Sequence, residues 1–303
     1  MLNSSNAPLF PQFRKFTIKD RTWYNEIYIN YSPSADLSFE NLLLWCDNNN
    51  DLEVSTLNNN VVLRFTDPFE FSNRMLFTII GDNGPDITIQ AIQSLFPRAS
   101  IVMLSEEFIK GISDTSITIQ EDRDNWDYIY NSADFIELSG HKYQGLRREL
   151  TLFSKSLSGK HCNVRQLDLK DSSTKSMLVN SLYLWAEETS HNDPNRNEDR
   201  VINRLLQHQG AIEHYCLGFF IDDTIEGFTI FHTVPQKKYM IFNHIKCSYK
   251  YPNQSNYEFV ETMRFLANSG FEKANFEQDL GKDGLRYHKQ ALRPTGYIKK
   301  YAI

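Results

Sequence analysis

The sequence has no run of apolar residues that approaches the ~18 consecutive positions of a membrane-spanning helix. Its first residues, MLNSSNAPLFPQF, show no basic segment followed by an apolar one, so we expect no secretory signal. Its four cysteines are far apart and form neither a CxxC pair nor a Cys/His spacing typical of zinc ligands. These absences argue against a membrane span, a disulfide framework and a metal site, and we expect a cytoplasmic protein. The cysteines are Cys46, Cys162, Cys216 and Cys247.

An excess of positive charge is also missing, since 32 Lys and Arg stand against 38 Asp and Glu and give a formal net charge of −6. That balance argues against a protein that coats nucleic acid with its whole surface. Two stretches are nevertheless basic. If both line one groove they suit a polyanionic partner such as the acceptor end of a tRNA, and otherwise they are solvated helix faces. The stretches comprise Lys142, Arg147, Arg148, Lys155, Lys160 and Arg165, and Lys282, Arg286, Lys289, Arg293, Lys299 and Lys300.

Hydrophobic periodicity predicts a similar order of elements in both halves of the 303-residue chain, which at 41% hydrophobic residues can bury a sizeable core. In each half, helical segments precede three strands, a helix, a strand, a short helix and a last strand. We predict an α/β fold with mixed sheets, divided into residues 1–133, a connecting helix at 134–160, and residues 161–303. The predicted strands are 52–56, 61–65, 75–80, 100–104, 116–120, 214–221, 227–233, 239–246, 274–280 and 297–302. The predicted helices are 20–31, 38–45, 86–96, 106–110, 172–188, 198–209, 257–268 and 285–292.

The stretch ANFEQDLGKDGLRYHKQALRP, residues 274–294, concentrates polar chemistry at one corner. Its alternation predicts a strand that places Asn275, Glu277 and Asp279 on one face. A glycine-bearing turn follows, and then a short helix that carries Arg286 and Lys289. A strand end next to a helix start is a usual place for a site in α/β sheets, although an edge strand with solvated acids would show the same pattern. We expect Asp279 and Arg286 to share one polar cavity.

Residues along nearly the whole chain also carry a family resemblance. The run EQDLGKDGLRYHKQALRP followed by IKKY, the run WDYIY from Trp126, the run LSGHKY from Leu138, and the run SFENL from Ser38 occur in the same order as in one known family. The chain thereby resembles the phosphatidylglycerol lysyltransferase C-terminal-like family. The resemblance implies two GNAT-like domains in tandem, packed around an interdomain cleft, and descent from aminoacyltransferases.

The resemblance also implies roles for particular side chains. The family tends to place a Glu-Lys pair on the strand that here reads FNHIK, where Lys246 matches and Ile245 stands at the acidic position. His244 could serve instead as the base, although a lone histidine beside apolar residues is more often structural. In the connecting helix Arg147 matches a family K-R-N run, whereas Leu146 and Arg148 do not. The candidate catalytic residues are Asp279, Glu277 and His244, and the candidate substrate-binding residues are Asn275, Arg286, Lys289, Lys246, Lys142, Tyr143 and Arg147.

Neither half carries the glycine-rich [QR]-x-x-G-x-[GA] loop with which CoA-using GNAT domains bind pyrophosphate. The junction GDNGPD at residues 81–86 has two acids and a proline without an N–H, and the junction SYKYPNQSN at 248–256 has no glycine. We therefore expect no cofactor. The resemblance points instead to an aminoacyl ester, such as aminoacyl-tRNA, as the donor. The acceptor would be the amine or hydroxyl of a small molecule, a peptide or a lipid headgroup.

Three functional hypotheses follow. The first is an enzyme that transfers an aminoacyl or related acyl group, because an activated ester asks for little more than a base and a donor to the carbonyl oxygen. The second is a binding or scaffold protein that keeps the fold without the reaction, suggested by Ile245 and Leu146 at positions where the family is usually charged. The third, less favoured, is a CoA-dependent N-acetyltransferase.

Overall fold

A computed structural model describes residues 7–31, 34–46, 52–66, 74–188, 196–208, 210, 212–234 and 238–303. The chain forms two compact units. The first comprises Met1–Asp127, Gln278–Lys282 and Tyr297–Ile303, and the second comprises Tyr128–Glu277 and Asp283–Gly296. These bounds differ from the predicted division at 134–160 and 161–303, because the last strand joins the first unit and the connecting segment lies inside the second. The division into two GNAT-like domains stays a prediction.

The first unit is built on a five-stranded sheet in the order β1-β2-β3-β4-β5. Its strands are antiparallel except for β4 and β5, which run parallel. Ser38 directly precedes helix α2, and its side chain caps the helix by accepting a hydrogen bond from the backbone N–H of Asn41. The elements of this part are β1 (Arg14–Lys15), α1 (Arg21–Tyr28), α2 (Phe39–Trp45), β2 (Glu53–Leu57), β3 (Asn60–Thr66), β4 (Met75–Ile80), α3 (Pro85–Leu95), β5 (Ser100–Ile101), α4 (Glu106–Lys110) and β6 (Gln120–Glu121).

The second unit holds strands in the order β7-β12-β11-β10-β9-β8. Strand β12 runs parallel to β11 and antiparallel to β7, and the remaining neighbours are antiparallel. Its elements are β7 (Asp127–Asn131), α5 (Asp134–Glu137), α6 (Gln144–Ser156), β8 (Cys162–Leu167), α7 (Ser172–Glu188), α8 (Arg196–Gln207), β9 (Tyr215–Ile221), β10 (Thr224–Thr233), β11 (Tyr239–Cys247), α9 (Gln254–Asn268), β12 (Lys273–Asn275) and α10 (Asp283–Ala291). The chain ends with β13 (Gly296–Ile298) and with β14 (Tyr301–Ala302), which pairs antiparallel with β6 of the first unit.

Two aromatic-rich cores hold these sheets to their helices. In the first unit Phe77 of β4 and Ile92 of α3 belong to one fully buried cluster. In the second, Phe242 of β11, Phe259 of α9 and Tyr130 of β7 are fully buried or nearly so, and their rings meet edge-on or stacked. Burial of each such side chain contributes about 1.5–3 kcal/mol. This packing covers one face of each sheet, and the opposite face of each sheet makes separate contacts.

The predicted elements occur in the predicted order, but β1, β7 and β8 were not predicted, and the strand predicted at 297–302 is divided into β13 and β14. Further segments depart from their predicted extents. The strand predicted at 274–280 ends at Asn275, because Glu277 and Leu280 take left-handed backbone angles (φ 51° and 54°) that break the alternation. The strand predicted at 100–104 is cut to two residues, since Met103 has φ 56°. The strand predicted at 116–120 is displaced to Gln120–Glu121. The helix predicted across 134–160 is broken where Leu138 and Gly140 take positive φ.

Helix α9 lies close against β10 because Gly227 lacks a side chain. A Cβ at Gly227 would stand 1.6 Å from Oε1 of Glu258. Glu258 is fully buried and its Oε1 accepts a hydrogen bond from Nε2 of Gln254 at 2.8 Å. Burial raises the pKa of Glu258 well above its ordinary value, with the Gln254 hydrogen bond opposing the shift. Burial therefore favours the neutral form of this carboxyl group in the folded protein.

The raised pKa of Glu258 predicts that stability falls as the pH rises. Between the ordinary and the raised pKa the folded state binds more protons than the unfolded state, so the stabilisation is complete below this window and is lost across it. One such group contributes a slope of up to about 1.4 kcal/mol per pH unit. We expect Glu258→Gln to flatten the dependence of unfolding free energy on pH, measured by urea unfolding between about pH 5 and pH 8. The exposed Glu272→Gln is the control, and an unchanged slope in Glu258→Gln would contradict the assignment.

In the described part of the chain, none of the helices combines the length and the apolar content that a bilayer crossing requires.

Candidate functional site

One face of the sheet in the second unit carries buried polar side chains on neighbouring strands. Residues paired across a ladder point to the same face of a sheet, so the register assigns the faces. His244 pairs with Ile230, and Lys246 pairs with Phe228. The ring of Phe228 stacks on Trp185 of α7 with 5.7 Å between centroids. His244 and Lys246 therefore lie on the face that α7 covers.

A bulge between β10 and β11 brings a histidine and an asparagine together on this face. The register shifts between Ile230 and Phe231, and Nδ1 of His232 lies 2.8 Å from Oδ1 of Asn243. Because an amide oxygen can only accept, neutral His232 carries its proton on Nδ1 and presents a lone pair on Nε2. His232 is 1% exposed and His244 is 3% exposed. Two imidazoles are thus held in a dry environment on adjacent strands.

The same face extends across two further strands. The ring of His214, just before β9, lies 5.3 Å from the ring of His232 at an interplanar angle of 64°. On the other side, Ile241 pairs with both His232 and Asn275, so Asn275 of β12 shares the face. Asn275 is fully buried and its Oδ1 accepts a hydrogen bond from the N–H of Glu277 at 2.8 Å. We call this set the polar row: His214, His232, Asn243, His244, Lys246 and Asn275.

The position at which the resemblance implies an acid lies on the opposite face. Ile245 pairs with Thr229 and packs against the aromatic core beneath α9. Leu146, the other departure from the family pattern, is 5% exposed in that same core. Both departures are therefore apolar packing positions in this chain.

Asp279 lies in the first unit with a cationic partner that sequence reasoning missed. It is fully buried, and its Oδ2 accepts a hydrogen bond from Nη1 of Arg123 at 3.1 Å. Its Oδ1 accepts from the N–H of Gly281 at 3.0 Å. The guanidinium of Arg123 also lies over the rings of Trp126 and Tyr297. This ion pair ties the segment 278–282 to the 3₁₀ turn that holds Arg123. That Asp279 shares a cavity with Arg286 stays a prediction.

A buried ionic cluster, also missed from sequence, closes the end of the chain onto the first unit. Nζ of Lys300 lies 2.7 Å from Oδ1 of Asp127 and also donates to Asp36. Lys300 is 1% exposed and Asp127 is fully buried. The other oxygen of Asp127 accepts from the N–H of Ala35 at 2.7 Å, and Gln278 donates to Asp36. Four separate pieces of sequence thus meet at one point.

The titration of this cluster follows from its burial and its charges. Burial opposes the charge on Lys300, but the carboxylates of Asp127 and Asp36 outweigh it and raise the pKa of Lys300 to about 12. Burial raises the pKa of Asp36, helped by the charge of Asp127 and opposed by Lys300. The signal available in the sequence was that Asp127 and Lys300 both lie in runs that carry the family resemblance.

The predicted cations of the connecting segment are engaged in local structure. Nη1 of Arg147 donates to the carbonyl oxygens of Leu138 and Gly140, at 2.9 Å for Gly140. Lys142 and the hydroxyl of Tyr143 both donate to Oδ2 of Asp134, at 3.0 and 3.2 Å. These contacts stabilise the turn between α5 and α6. A substrate-binding role for Lys142, Tyr143 and Arg147 stays a prediction.

The remaining candidates lie on or near α10 in the second unit. Nζ of Lys289 donates to the carbonyl of Phe276 and stands 4.5 Å from the centre of its ring. Burial and the charge of Lys289 lower the pKa of the neighbouring His288. Arg286 lies one turn earlier on α10 and is half-buried. The backbone of Glu277 is fixed by bonds to Asn275 and Tyr128, and a catalytic role for Glu277 stays a prediction.

Outside the gaps at 1–6, 32–33, 47–51, 67–73, 189–195, 209, 211 and 235–237, no three His, Cys, Asp or Glu side chains come together in a way that could hold a metal ion.

Solved structures of similar fold extend over almost the whole chain. A conserved protein of unknown function from Bacteroides thetaiotaomicron matches with a TM-score of 0.80 at 18% identity, covering 98% of each chain. L-PGS from Bacillus licheniformis matches with a TM-score of 0.60 at 13% identity, covering 93% of this chain and 90% of that one. A tandem GNAT protein from the clavulanic acid biosynthesis pathway matches with a TM-score of 0.53 at 9% identity, covering 96% and 98%. At these identities the likeness establishes the fold, which is mixed α/β and GNAT-like.

No curated protein matches this chain. The family model described as "Phosphatidylglycerol lysyltransferase, C-terminal" matches residues 34–303. The match includes the strands of the polar row, the Lys300 cluster and every run on which the resemblance was based. The chain therefore belongs to the phosphatidylglycerol lysyltransferase C-terminal family.

Proposed function

We propose that this protein transfers an aminoacyl group from an activated ester, with aminoacyl-tRNA as donor, to an amine or hydroxyl acceptor. The observation that carries the proposal is the polar row. It brings His232 and His244 onto one buried sheet face with Lys246. Membership of the family and the GNAT-like fold support an acyltransferase-like role. Because charged tRNA is a cytoplasmic molecule, the proposal also places the reaction in the cytoplasm.

The reaction needs one side chain that takes up a proton and one group that stabilises the developing negative charge. The acceptor nitrogen or oxygen attacks the ester carbonyl carbon, a new C–N or C–O bond forms, and the ester C–O bond breaks. In our assignment the lone pair of His244 takes the proton from the attacking group and returns it to the leaving ribose hydroxyl. Lys246 and the amide of Asn243 are the donors offered to the carbonyl oxygen. Hydrogen bonding to Asn243 keeps His232 in one tautomer beside this pair.

The segments that precede α3 in the first unit and α9 in the second support an ester donor over acetyl-CoA. In the first unit, α3 begins with Pro85, which has no N–H to offer, and its first turn carries Asp86. Hydrogen bonds from Ser113 and Asp114 lower the pKa of Asp86, so a negative charge occupies the place where a phosphate would bind. In the second unit, α9 begins after Asn253, and the segment 248–253 contains no glycine to let a phosphate approach the backbone.

A transfer assay tests the proposal. The purified protein is incubated with tRNAs charged with labelled amino acids and with a panel of amine and hydroxyl acceptors. We expect stable transfer of label to an acceptor, above the hydrolysis rate without protein. Calorimetry with acetyl-CoA should show no binding. Absence of transfer across a broad panel would favour the scaffold hypothesis, and acetyl-CoA binding would favour N-acetylation.

A further inference from the structure

Strand β8 forms one edge of the sheet in the second unit. Among the strands that the structure describes, β8 has β9 as its neighbour on one side and no strand on the other. Residues 163–166 of β8 are all exposed, although their side chains alternate between the two faces of the sheet. The strand is therefore accessible from both faces, and its outer edge is open.

The backbone groups on this outer edge follow from the pairing with β9. The N–H of Asp222 donates to the carbonyl oxygen of His161 at 3.1 Å, so residue 161 directs its backbone towards β9. The register between β8 and β9 runs without a shift, and the residues of an antiparallel strand direct their N–H and C=O groups alternately to one side and the other. Cys162, Val164 and Gln166 therefore direct theirs away from β9, where they form a template for a further strand.

The features that commonly prevent pairing at a sheet edge do not block this one. Natural edge strands carry proline, a bulge or a charge that keeps other strands away. Strand β8 contains no proline and no bulge, and its one charged side chain, Arg165, belongs to a residue whose backbone faces β9. The guanidinium of Arg165 lies 4.5 Å from the centre of the Phe220 ring and donates to Oδ1 of Asp223 at 2.6 Å. Arg165 is thereby held within its own sheet and leaves the edge clear.

The sequence of β8 is complementary to itself in one antiparallel register. When two copies continue one sheet across a two-fold axis, each residue must meet a residue from the same face. An axis at Val164 satisfies this condition, because Val164 then faces its own copy. The flanking pairs are Cys162 with Gln166 and Asn163 with Arg165. The residues whose backbone groups point outward then oppose one another, as hydrogen-bonded pairs require.

Charge and overlap favour this register over its neighbours. An axis at Val164 brings Lys160 of one copy near Asp168 of the other at both ends of the ladder, and both residues are exposed. An axis at Arg165 would set two guanidinium groups opposite each other, and like charges directly opposite are destabilising. An axis at Asn163 would shorten the overlap of the two strands. Strand β8 therefore matches a second copy of itself in backbone pairing and in charge.

We propose that two copies of this chain form a dimer through β8, in which their sheets continue across a two-fold axis at Val164. A single ladder of this length buries a small area, so the dimer is reversible and has a Kd in the micromolar range. The proposal is independent of the proposed function, because β8 contributes no residue to the polar row.

Sedimentation velocity over a concentration series tests the dimer. We expect Val164→Lys to weaken the dimer Kd about tenfold or more, because two ammonium groups then stand opposite each other at the axis. The matched control Val164→Thr keeps a β-branched side chain and should leave Kd within about twofold. Asp168→Lys should also weaken the dimer, and Lys160→Asp/Asp168→Lys should restore it, because the exchanged charges attract again. All these positions are exposed, so the variants should fold, as circular dichroism can verify.

A disulfide at the axis tests the register. In a hydrogen-bonded antiparallel pair the two Cα atoms lie about 5.5 Å apart, which is within the reach of a disulfide. We expect Val164→Cys to form a covalent dimer under mild oxidation. Arg165→Cys should not, because residue 165 stands opposite Asn163 and lies two positions along the ladder from its own copy. The wild-type chain, oxidised in parallel, gives the background from the native cysteines.

The contrary results are distinct. A wild-type chain that stays monomeric at concentrations up to about 1 mM would overturn the proposal and leave the edge to a strand of another protein. A dimer whose Kd is unchanged in Val164→Lys and in Asp168→Lys would lie at another surface and would overturn it equally. Cross-linking through Arg165→Cys and not through Val164→Cys would reject the axis at Val164.

Discussion

Replacing Lys300 with methionine is expected to lower the free energy of unfolding by about 3–5 kcal/mol. The ammonium group is 1% exposed and lies between the carboxylates of Asp127 and Asp36. Methionine fills a similar volume, so the cost comes from two carboxylates left in a buried site without a cation. Urea unfolding followed by tryptophan fluorescence measures the change.

The pH dependence of this loss distinguishes electrostatics from packing. In Lys300→Met the pKa of Asp36 should rise further, because burial disfavours its charged form and the opposing charge of Lys300 is gone. A raised pKa gives stability that is present at low pH and is lost as the pH rises. The difference between Lys300→Met and the wild type should therefore shrink as the pH is lowered towards 5. A difference that stays constant with pH would show that packing dominates.

Two further variants control the experiment. Lys299→Met removes the neighbouring cation, which lies 4.8 Å from the ring of Trp126, and should cost no more than about 1 kcal/mol. Lys300→Met/Asp127→Asn removes one carboxylate and keeps an oxygen that can accept from the N–H of Ala35. We expect it to recover a large part of the lost stability. A single Lys300→Met variant that behaves like Lys299→Met would contradict a buried ionic cluster.

Periodicity predicted the elements well where a segment obeys one period from end to end. Helix 172–188 and strand 75–80 were predicted with the observed bounds, because nothing interrupts their patterns. The prediction was wrong at 276–280, where the sequence keeps its strand-like alternation of side chains although the strand has already ended at Asn275. Glu277 and Leu280 adopt positive φ there, and the pattern of side chains carries no information about that choice.

The candidate site was predicted in part for a related reason. His244, Lys246 and Asn275 were named from the sequence, and all three lie on one sheet face. His232 and Asn243 were missed because their contact depends on a bulge between β10 and β11, which shifts the register by one residue. The Lys300 cluster was missed because its partners are 173 and 264 positions away in sequence. Pairing over such distances is set by topology, which a single sequence does not specify.

Replacing His244 with glutamine is expected to lower kcat for aminoacyl transfer by about 10²–10⁴-fold, with KM changed little. Glutamine has a similar size and keeps polar atoms, but it cannot accept a proton from the attacking group. His244 is 3% exposed and faces α7 beside Lys246, so bulk water is poorly placed to replace it. The measurement is steady-state transfer of labelled amino acid to the acceptor found in the assay.

A pH–rate profile tests whether His244 acts as the base. A base must lose its proton before it can act, so the wild-type rate should rise with pH between about pH 5 and pH 8. This rise should be absent in His244→Gln. The control His161→Gln changes an exposed histidine outside the polar row and should retain both the rate and the profile. A kcat within about threefold of wild type in a folded His244→Gln protein would remove His244 from the reaction. If that variant does not fold, a wild-type rate that does not change across this pH range would reject the assignment equally.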